Sequence, residues 1–286
     1  MSYPSNNNTS QNSELFAQLV TQAEFAAYEN SVARQMVTVF DAPLNTGKIL
    51  QVPVWGSITA ELITDEAAAT AKETGTSAPT ITLAEHVVYH QVTDMLRDSS
   101  YGNVMTQLGD QSGRAIAESI DAQVFANFDG FSSDLGTTGT SLTVELILKA
   151  AATLRSRKLT GPFFAVVHPN QAYDLKKQLT YAAQTNIPQL SGVGENVLSS
   201  FYIGGVAGVQ IYESSLVEAK TTGGANAFTA GVFARSALGH AMRGGIDMNT
   251  LYLPAARATD VVLKAVAGAA ILQSTHGVAI TAEGNL

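Results

Sequence analysis

The chain has 286 residues, carries no cysteine and has a net charge of −8 at pH 7. Disulfide frameworks and cysteine-ligated zinc sites are therefore excluded. Only 14% of the residues are charged, against roughly 25% in an average soluble domain, which predicts a subunit that buries much of its surface against neighbours. Composition alone also fits an alanine-rich enzyme with a bland surface. The scattered lysines and arginines form no basic stripe of the kind that binds nucleic acid.

The N-terminal sequence predicts an arm followed by a short helical region. Residues 1–14 are rich in Asn and Ser and contain no apolar signal core, so we expect a flexible arm. Apolar residues at mixed helical spacing over 14–40 predict one or two helices that end before Pro43. The sequence contains no apolar run long enough for a transmembrane helix, which predicts a chain that is made and kept in a cytoplasm.

Residues 47–95 predict a long β-hairpin with a wide, polar tip. Apolar residues at period two are predicted to share one face of each arm: Leu50, Val52, Val54 and Ile58 in the first, and Ile81, Leu83, Val87 and Tyr89 in the second. A two-stranded ribbon is marginally stable alone in water, so the hairpin needs a surface to lie on. Trp55, the only tryptophan, either packs on its own ribbon or inserts into a neighbouring subunit.

The longest helix is predicted from about Ser99 to Phe128, because an apolar stripe runs through this segment and no proline interrupts it. Gly109 and Gly113 weaken the helix locally, and close packing against another backbone is one reason for a helix to tolerate them. Gly130 follows the stripe at a position where a helix-ending glycine is common.

An α/β unit is predicted next. Residues 144–159 predict a helix that Gly161 and Pro162 break, and the run FFAVVH at 163–168 predicts a short buried strand. Pro169 suits the first position of a further helix over 169–179. Residues 180–204 are predicted to be rich in loops. Later strands are predicted at 206–213, 228–235, 246–253, 257–266 and 276–281.

Common catalytic motifs are absent from the sequence, including the phosphate-binding loop, the dinucleotide fingerprint and the nucleophile elbow. His86 and His90 have a spacing that could bind a metal on a helix, but their segment is predicted as a strand without a third ligand. His168, His240 and His276 could each act as a general base. Hydrogen-bonded or solvated histidines are the simpler interpretation, so we predict no catalytic, cofactor or metal site.

The order of these elements resembles the major capsid proteins of tailed bacteriophages over nearly the whole chain. The sequence ATDVVLKAVAGAAIL at 258–272, followed by HGVAIT at 276–281, is similar to that family's closing strand, turn and final strand. FFAVVHPNQAYDLKK at 163–177 is similar to its pattern of apolar strand, turn and helix. The resemblance implies an α+β phage major-capsid fold with an N-arm, an extended β-hairpin loop, a long spine helix, a peripheral domain and an axial α/β domain.

The resemblance also implies a division of the chain. It assigns residues 1–46 to the N-terminal arm, 47–95 to the extended loop, 96–143 to the peripheral domain with its spine helix, and 144–245 to the axial domain. Strands in 246–270 complete the peripheral sheet, and 271–286 return to the axial domain. The loop starts too early for the long scaffolding extension of some family members, which implies a separate scaffolding protein or none.

The function implied by this resemblance is structural and not enzymatic. The subunit is expected to self-assemble into hexamers and pentamers of an icosahedral head that encloses double-stranded DNA without specific binding, in the virion and, during assembly, in the host cytoplasm. Further expected partners are portal, scaffolding or decoration proteins; no cofactor and no membrane are expected. The alternatives are an encapsulin-type compartment and, less favoured, a soluble α/β enzyme. The candidate interface residues are Leu50, Val52, Val54, Trp55, Ile81, Leu83, Val87, Tyr89, Phe16 and Phe25.

Overall fold

The computed structural model describes residues 19–27, 31–44, 47–63, 70–99, 104–182, 202–206, 208–222 and 225–284. The α-helices in these ranges are α1 (19–27), α2 (Ala33–Met36), α3 (Asp94–Ser99), α4 (Val104–Phe125), α5 (Val144–Ser156) and α6 (Pro169–Ala182). Short 3-10 turns cover Ala126–Gly130, Arg235–Ala237 and Ser274–His276.

The same ranges contain fifteen β-strands. In chain order they are β1 (Thr38–Asp41), β2 (Ile49–Gln51), β3 (Val54–Trp55), β4 (Thr76–Ser77), β5 (Thr80–Thr82), β6 (Ala84–Thr93), β7 (Asp134–Leu135), β8 (Phe163–Val167), β9 (Tyr202–Val206), β10 (Val209–Glu213), β11 (Ala219–Thr222), β12 (Ala225–Ala234), β13 (Leu238–Leu253), β14 (Ala258–Ile271) and β15 (Gly277–Glu283).

Two large sheets organise these strands. The four-stranded sheet has the order β1–β13–β14–β6, with β1 parallel to β13 and the other neighbours antiparallel. The seven-stranded sheet runs β7–β15–β12–β8–β10–β9, and β11 also pairs with β12. The remaining strands form a narrow ribbon in which β2 pairs with β5 and β3 with β4. The fold is therefore α+β, as the sequence predicts.

The four-stranded sheet packs on α4 through alternate residues of its strands. On β14, Val261, Leu263 and Ala265 are buried, while the residues between them are partly exposed. They share a core with Ile116 and Ile120 of α4. Because side chains in a strand alternate between its two faces, this pattern places one face of the sheet against the helix and leaves the other accessible.

Helix α1 lies on another side of α4, at two glycines. A Cβ atom added to Gly113 would lie 2.3 Å from the carbonyl oxygen of Ala23, and one added to Gly109 would lie 2.8 Å from that of Leu19. No side chain fits in either place. The predicted close approach of a second backbone is confirmed, and it explains why a long helix contains these two residues.

The seven-stranded sheet is covered on both faces. Helices α5 and α6 contribute buried residues such as Ile147 and Leu175 to a core shared with alternate strand residues. The opposite face carries Phe164 and Val166 of β8. All five residues of β8 are buried, which confirms the strand predicted from its unbroken apolar run.

A cluster of aromatic side chains joins the end of α4 to the seven-stranded sheet. The Phe128 ring is fully buried, and its centroid lies 5.5 Å from that of Phe125, 5.9 Å from that of Phe131 and 5.4 Å from that of Phe233. The same core includes Leu238 at the start of β13. The cluster therefore ties the long helix to strands from both sheets.

The chain passes between the two sheets at two adjacent turns. Arg235–Ala237 connects β12 to β13, and Ser274–His276 connects β14 to β15. The amide nitrogens of Leu272 and Gln273 donate to the carbonyl oxygen of Ala237 at 2.8 and 3.2 Å. The two connections therefore lie side by side and are hydrogen-bonded to each other.

Two sequence-based predictions differ from the structure. Residues 38–41, predicted as helix, form β1, because their alternating burial and parallel pairing with β13 outweigh the short helical pattern. The second hairpin arm ends at β5, and β6 joins the four-stranded sheet. The division of the chain after residue 245 stays a prediction; β13 spans this position, and its pairing with β14 shifts register between Arg243 and Asp247.

We expect that Lys158→Gly raises the free energy of unfolding by about 0.5–1 kcal/mol. Lys158 follows the C-cap of α5 with φ of 62°, a left-handed conformation that glycine adopts without strain. Thermal and urea denaturation of the full chain measure the change. Lys158→Ala is the control, since it removes the same charge but keeps a Cβ atom; an equal gain from both variants would contradict the backbone explanation.

Candidate assembly interface

Residues 47–83, described except for 64–69, form the hairpin. Its base is a two-stranded ladder in which Leu50 pairs with Ile81, and Val54 pairs with Ser77 farther out. Additional hydrogen bonds join the amide of Gly56 to the carbonyl of Gly75. In the described part of the hairpin, the residues beyond Gly56 belong to no strand until Thr76.

The hairpin base is anchored on its own subunit. Ile81 and Leu83 are buried in a small core with Ala42 and Ala241. Strand β5 lies directly on β14, because a Cβ atom added to Gly268 would be 2.3 Å from the carbonyl oxygen of Thr82. The base is therefore fixed by both side-chain packing and close backbone contact.

The outward face of the ribbon is accessible and carries apolar side chains beside polar ones, which include Gln51, Thr80 and Thr82. Burial alternates from Ile49 to Trp55, with Leu50, Val52 and Val54 partly buried and the residues between them exposed. Trp55 is 70% exposed, and Ile49 and Ile58 are also exposed. Apolar side chains on both faces of a two-stranded ribbon need partners on both faces, and within the described residues only the inner face is covered.

A second accessible apolar surface is the outer face of the four-stranded sheet. Val87 and Tyr89 of β6 and Leu251 of β13 are all more than half exposed. Asp260 of the neighbouring strand β14 hydrogen-bonds to Tyr89 and raises the pKa of its phenol. Lys264 pairs with Asp247 at 3.2 Å on adjacent strands. This face combines apolar side chains with paired polar groups, as protein–protein interfaces do.

The predicted interface residues fall into different environments. Ile81 and Leu83 are buried inside the subunit, so in this conformation they cannot contact a neighbour. The sequence predicts Val87 and Tyr89 on the same face as Ile81 and Leu83. In β6 the alternation of buried and exposed residues is reversed: Val87 and Tyr89 are exposed, and the residues that face inward are His86, Val88, His90 and Val92. Trp55 and Phe25 are exposed, at 70% and 62%. Phe16 lies outside the described residues.

Sequence reasoning did not single out several exposed apolar residues as interface candidates. These are Leu44, Ile49, Leu62, Met95 and Leu251. Ile49 was detectable, because it continues the apolar pattern of the first arm on the face opposite to Leu50. Leu251 was not, since its exposure depends on which face of β13 packs on α4.

The histidines of β6 are accounted for by hydrogen bonds to the long helix. The Nδ1 atom of His86 lies 2.7 Å from the Ser119 hydroxyl, and Nε2 of His90 lies 2.9 Å from that of Ser112. Burial lowers the pKa of His86. Among the described residues, no three His, Cys, Asp or Glu side chains are grouped to hold a metal ion. Both histidines lie on a strand, β6, as the sequence predicts for their segment.

The two histidines near the seven-stranded sheet also have local partners. The His168 ring stacks on Phe228 with centroids 3.7 Å apart, and burial lowers its pKa. Nδ1 of His276 lies 2.7 Å from the Ser236 hydroxyl. Burial and the nearby Arg157 lower the pKa of His276.

No helix of the described chain is long and apolar enough to cross a membrane.

Solved phage capsid structures share this fold. The capsid of Ralstonia phage GP4 matches with a TM-score of 0.68 at 10% identity, covering 90% of this chain and 92% of that one. The capsid of cyanophage P-SCSP1u matches with a TM-score of 0.66 at 16% identity, covering 87% of each chain. A virus-like particle from Pyrococcus furiosus matches with a TM-score of 0.56 at 13% identity, covering 93% and 98%. The chain therefore shares its fold with these three proteins.

The sequence identifies the family. A family model described as "Phage capsid protein" matches residues 73–280, well over half of the chain. The chain belongs to this family of phage capsid proteins, and its role is that of a major capsid protein, the structural subunit of a phage head. Comparison with curated protein sequences finds no match.

Proposed function

We propose that copies of this subunit form the hexamers and pentamers of an icosahedral phage head, and that the hairpin is a principal contact between copies. The observation that carries the proposal is the pair of exposed large apolar side chains on the hairpin's outward face, Ile49 and the 70% exposed Trp55. Tryptophan is over-represented among the residues that dominate binding energy at interfaces. A second copy is the natural occupant, because every subunit of a shell presents the same ribbon to its neighbours.

The division into parts supports the same proposal. In this proposal residues 47–83 supply the extended loop, α4 supplies the spine helix, and the seven-stranded sheet with α5 and α6 supplies the axial domain. Strands in 246–270 complete the peripheral sheet around β6, and the last strand, β15, returns to the axial domain. Val87 and Tyr89 lie on the outer face of the peripheral sheet and offer a receiving surface for a neighbour.

Trp55→Ser is expected to reduce particle formation strongly while leaving the folded subunit intact. Since the side chain is largely exposed, the free energy of unfolding should change by no more than about 0.5 kcal/mol. Light scattering coupled to size-exclusion chromatography measures the assembled fraction, and negative-stain microscopy identifies particles. Trp55→Phe is the matched control, because it keeps an apolar ring and should retain most assembly. Wild-type assembly by Trp55→Ser at equal concentration would refute the role of the hairpin.

The contents of the shell are proposed to be double-stranded DNA held without specific contacts. The net charge is −8 and the basic residues are scattered along the sequence, which does not favour specific contacts with phosphates. The likeness to the Pyrococcus furiosus virus-like particle supports an encapsulin-type compartment as a second candidate. Nuclease-protected DNA of uniform length in purified particles supports the first candidate, whereas a single co-purifying cargo protein without DNA supports the second.

The remaining partners and the site of action follow from the head role. We propose that the subunit works in the virion, is assembled in the host cytoplasm, and contacts portal, scaffolding or decoration proteins. Catalysis forms no part of this function, and no cofactor is required. Cross-linking mass spectrometry on assembling particles identifies which of these proteins touch the subunit.

A further inference from the structure

The described residues 19–27 and 31–36 are called the N-terminal segment, and they are held on α4 and β13 through polar contacts as well as packing. Asp121 of α4 accepts hydrogen bonds from the Ser31 hydroxyl at 2.8 Å and from the amides of Val32 and Ala33 at 2.9 and 3.3 Å. The Glu24 carboxylate accepts from the amide of Ile246 on β13 at 3.3 Å. Carboxylate hydrogen bonds therefore hold the segment at two places, at Glu24 within α1 and at residues 31–33 before α2.

A cavity of about 30 Å³ lies beneath the N-terminal segment, between it, α4 and β13. Its polar lining comes from Glu24, Ser31, Arg34 and His240, and the rest is mostly apolar. The His240 side chain is 2% exposed. Neither of its ring nitrogens has a hydrogen-bond partner among the described residues. A neutral imidazole is tolerated in such surroundings, but a charged one is strongly disfavoured.

We propose that His240 is the trigger of a pH-sensitive latch, which holds the N-terminal segment on the body of the subunit at neutral pH and releases it when the imidazole gains a proton. Release opens the cavity to water and hydrates the new charge. The inference concerns the subunit itself and does not depend on the proposed role of the hairpin.

Charges on every element around the cavity set the direction of this response. Arg34 from α2 and His86 from β6 add positive charge that opposes protonation of His240. Glu24 from α1 faces the same cavity and favours it. Asp121 from α4 acts in the opposite sense to His240, because burial raises its pKa and its protonation therefore favours the attached state. The net pH dependence of release is therefore the contribution of His240 minus that of Asp121.

The direction of the pH response and the pH range in which it occurs follow from the pKa of His240 in the attached and released states. Burial, with Arg34 and His86, lowers the pKa of His240 from 6.5 to about 4. In the released segment the ordinary value returns, so the released state binds the proton first as pH falls below 6.5. From these two values, the His240 contribution to the release equilibrium grows roughly twentyfold between pH 7 and pH 5. At pH 7 the contribution is small, since His240 is uncharged in the attached state and mostly uncharged in the released state.

Hydrogen exchange of the full chain, corrected for intrinsic exchange rates, tests the latch. Peptides from residues 19–36 should exchange faster at pH 5 than at pH 7, by up to roughly twentyfold from the His240 contribution. His240→Leu should abolish this rise. His168→Gln is the matched control, because it removes another histidine whose pKa is lowered by burial. His168 lies between β8 and α6, at the seven-stranded sheet and away from the cavity. This variant should keep the wild-type rise in exchange.

A second variant and a direct titration keep the proposal testable if the His240→Leu variant does not fold. Arg34→Gln removes a neighbouring cation, so His240 gains its proton more readily in the attached state and the acid-induced rise should shrink. NMR titration of wild-type His240 should give a midpoint well below 6.5. A midpoint near 6.5, or an undiminished rise in a folded His240→Leu variant, overturns the proposal. Both measurements are made on unassembled subunits, so a failure of the hairpin proposal leaves them interpretable.

Discussion

Phe128→Ala is expected to lower the free energy of unfolding by about 3–5 kcal/mol. The ring is fully buried and stands between Phe125, Phe131 and Phe233. The space that the ring would leave in Phe128→Ala is bounded on one side by the backbone of Gly231, since a Cβ atom added to Gly231 would lie 2.7 Å from the Phe128 ring. A rigid strand cannot collapse into the vacated space, so the cost should fall in the upper part of this range.

Urea denaturation of the unassembled subunit measures this cost. Phe25→Ala is the matched control, because that ring is 62% exposed, and the same substitution should then change the free energy by about 0.5 kcal/mol or less. The Phe128 variant should also give few particles, since the cluster joins the long helix to both sheets. A loss below about 1 kcal/mol would show that the cluster is not a rigid junction.

Gly113→Val is expected to cost about 2–3 kcal/mol, because the added atoms would overlap the backbone of α1 near Ala23. Helix α4 itself should gain slightly, as valine is a better helix former than glycine. The loss should therefore appear as detachment of the N-terminal segment while the sheets stay folded. Limited proteolysis within residues 19–36, followed by mass spectrometry, detects it.

Ala115→Val is the control for Gly113→Val. Ala115 lies two residues farther along α4 on its exposed face, so the added methyl groups meet solvent, and only the difference in helix propensity of about 0.5 kcal/mol should be lost. Equal proteolysis of the two variants would mean that crowding against α1 is not the cause.

Local patterns were sufficient to predict much of the fold. The unbroken apolar run at 163–167 and the proline at 169 placed a buried strand and the helix after it correctly. The stripe along α4 located the long helix, and its glycines correctly predicted a close backbone neighbour. These elements depend on residues near one another in sequence, which is the information that periodicity carries.

Long-range pairing could not be predicted in the same way. Strand β1 forms only because β13, almost two hundred residues later, offers a parallel edge to Thr38–Asp41. Strand β6 leaves the hairpin because β14 pairs with all ten of its residues. For the candidate interface, Trp55 was identified from residue type alone, whereas the burial of Ile81 follows from contacts with Ala42 and Ala241. Partners distant in sequence decide these cases.

The side-by-side turns at Arg235–Ala237 and Ser274–His276 make the subunit more flexible between its two sheets than within either sheet. Each sheet is a dense ladder that resists bending, whereas the covalent passage from β12 to β13 and from β14 to β15 runs through three-residue turns at one place. Changing the angle between the ladders there alters few backbone dihedral angles, but it also shifts the packing of the Phe128 cluster, which includes Phe233 and Leu238 on either side of the first turn. In a closed shell, where chemically identical copies sit at differently curved positions, strain should concentrate along this line and leave the strands undistorted.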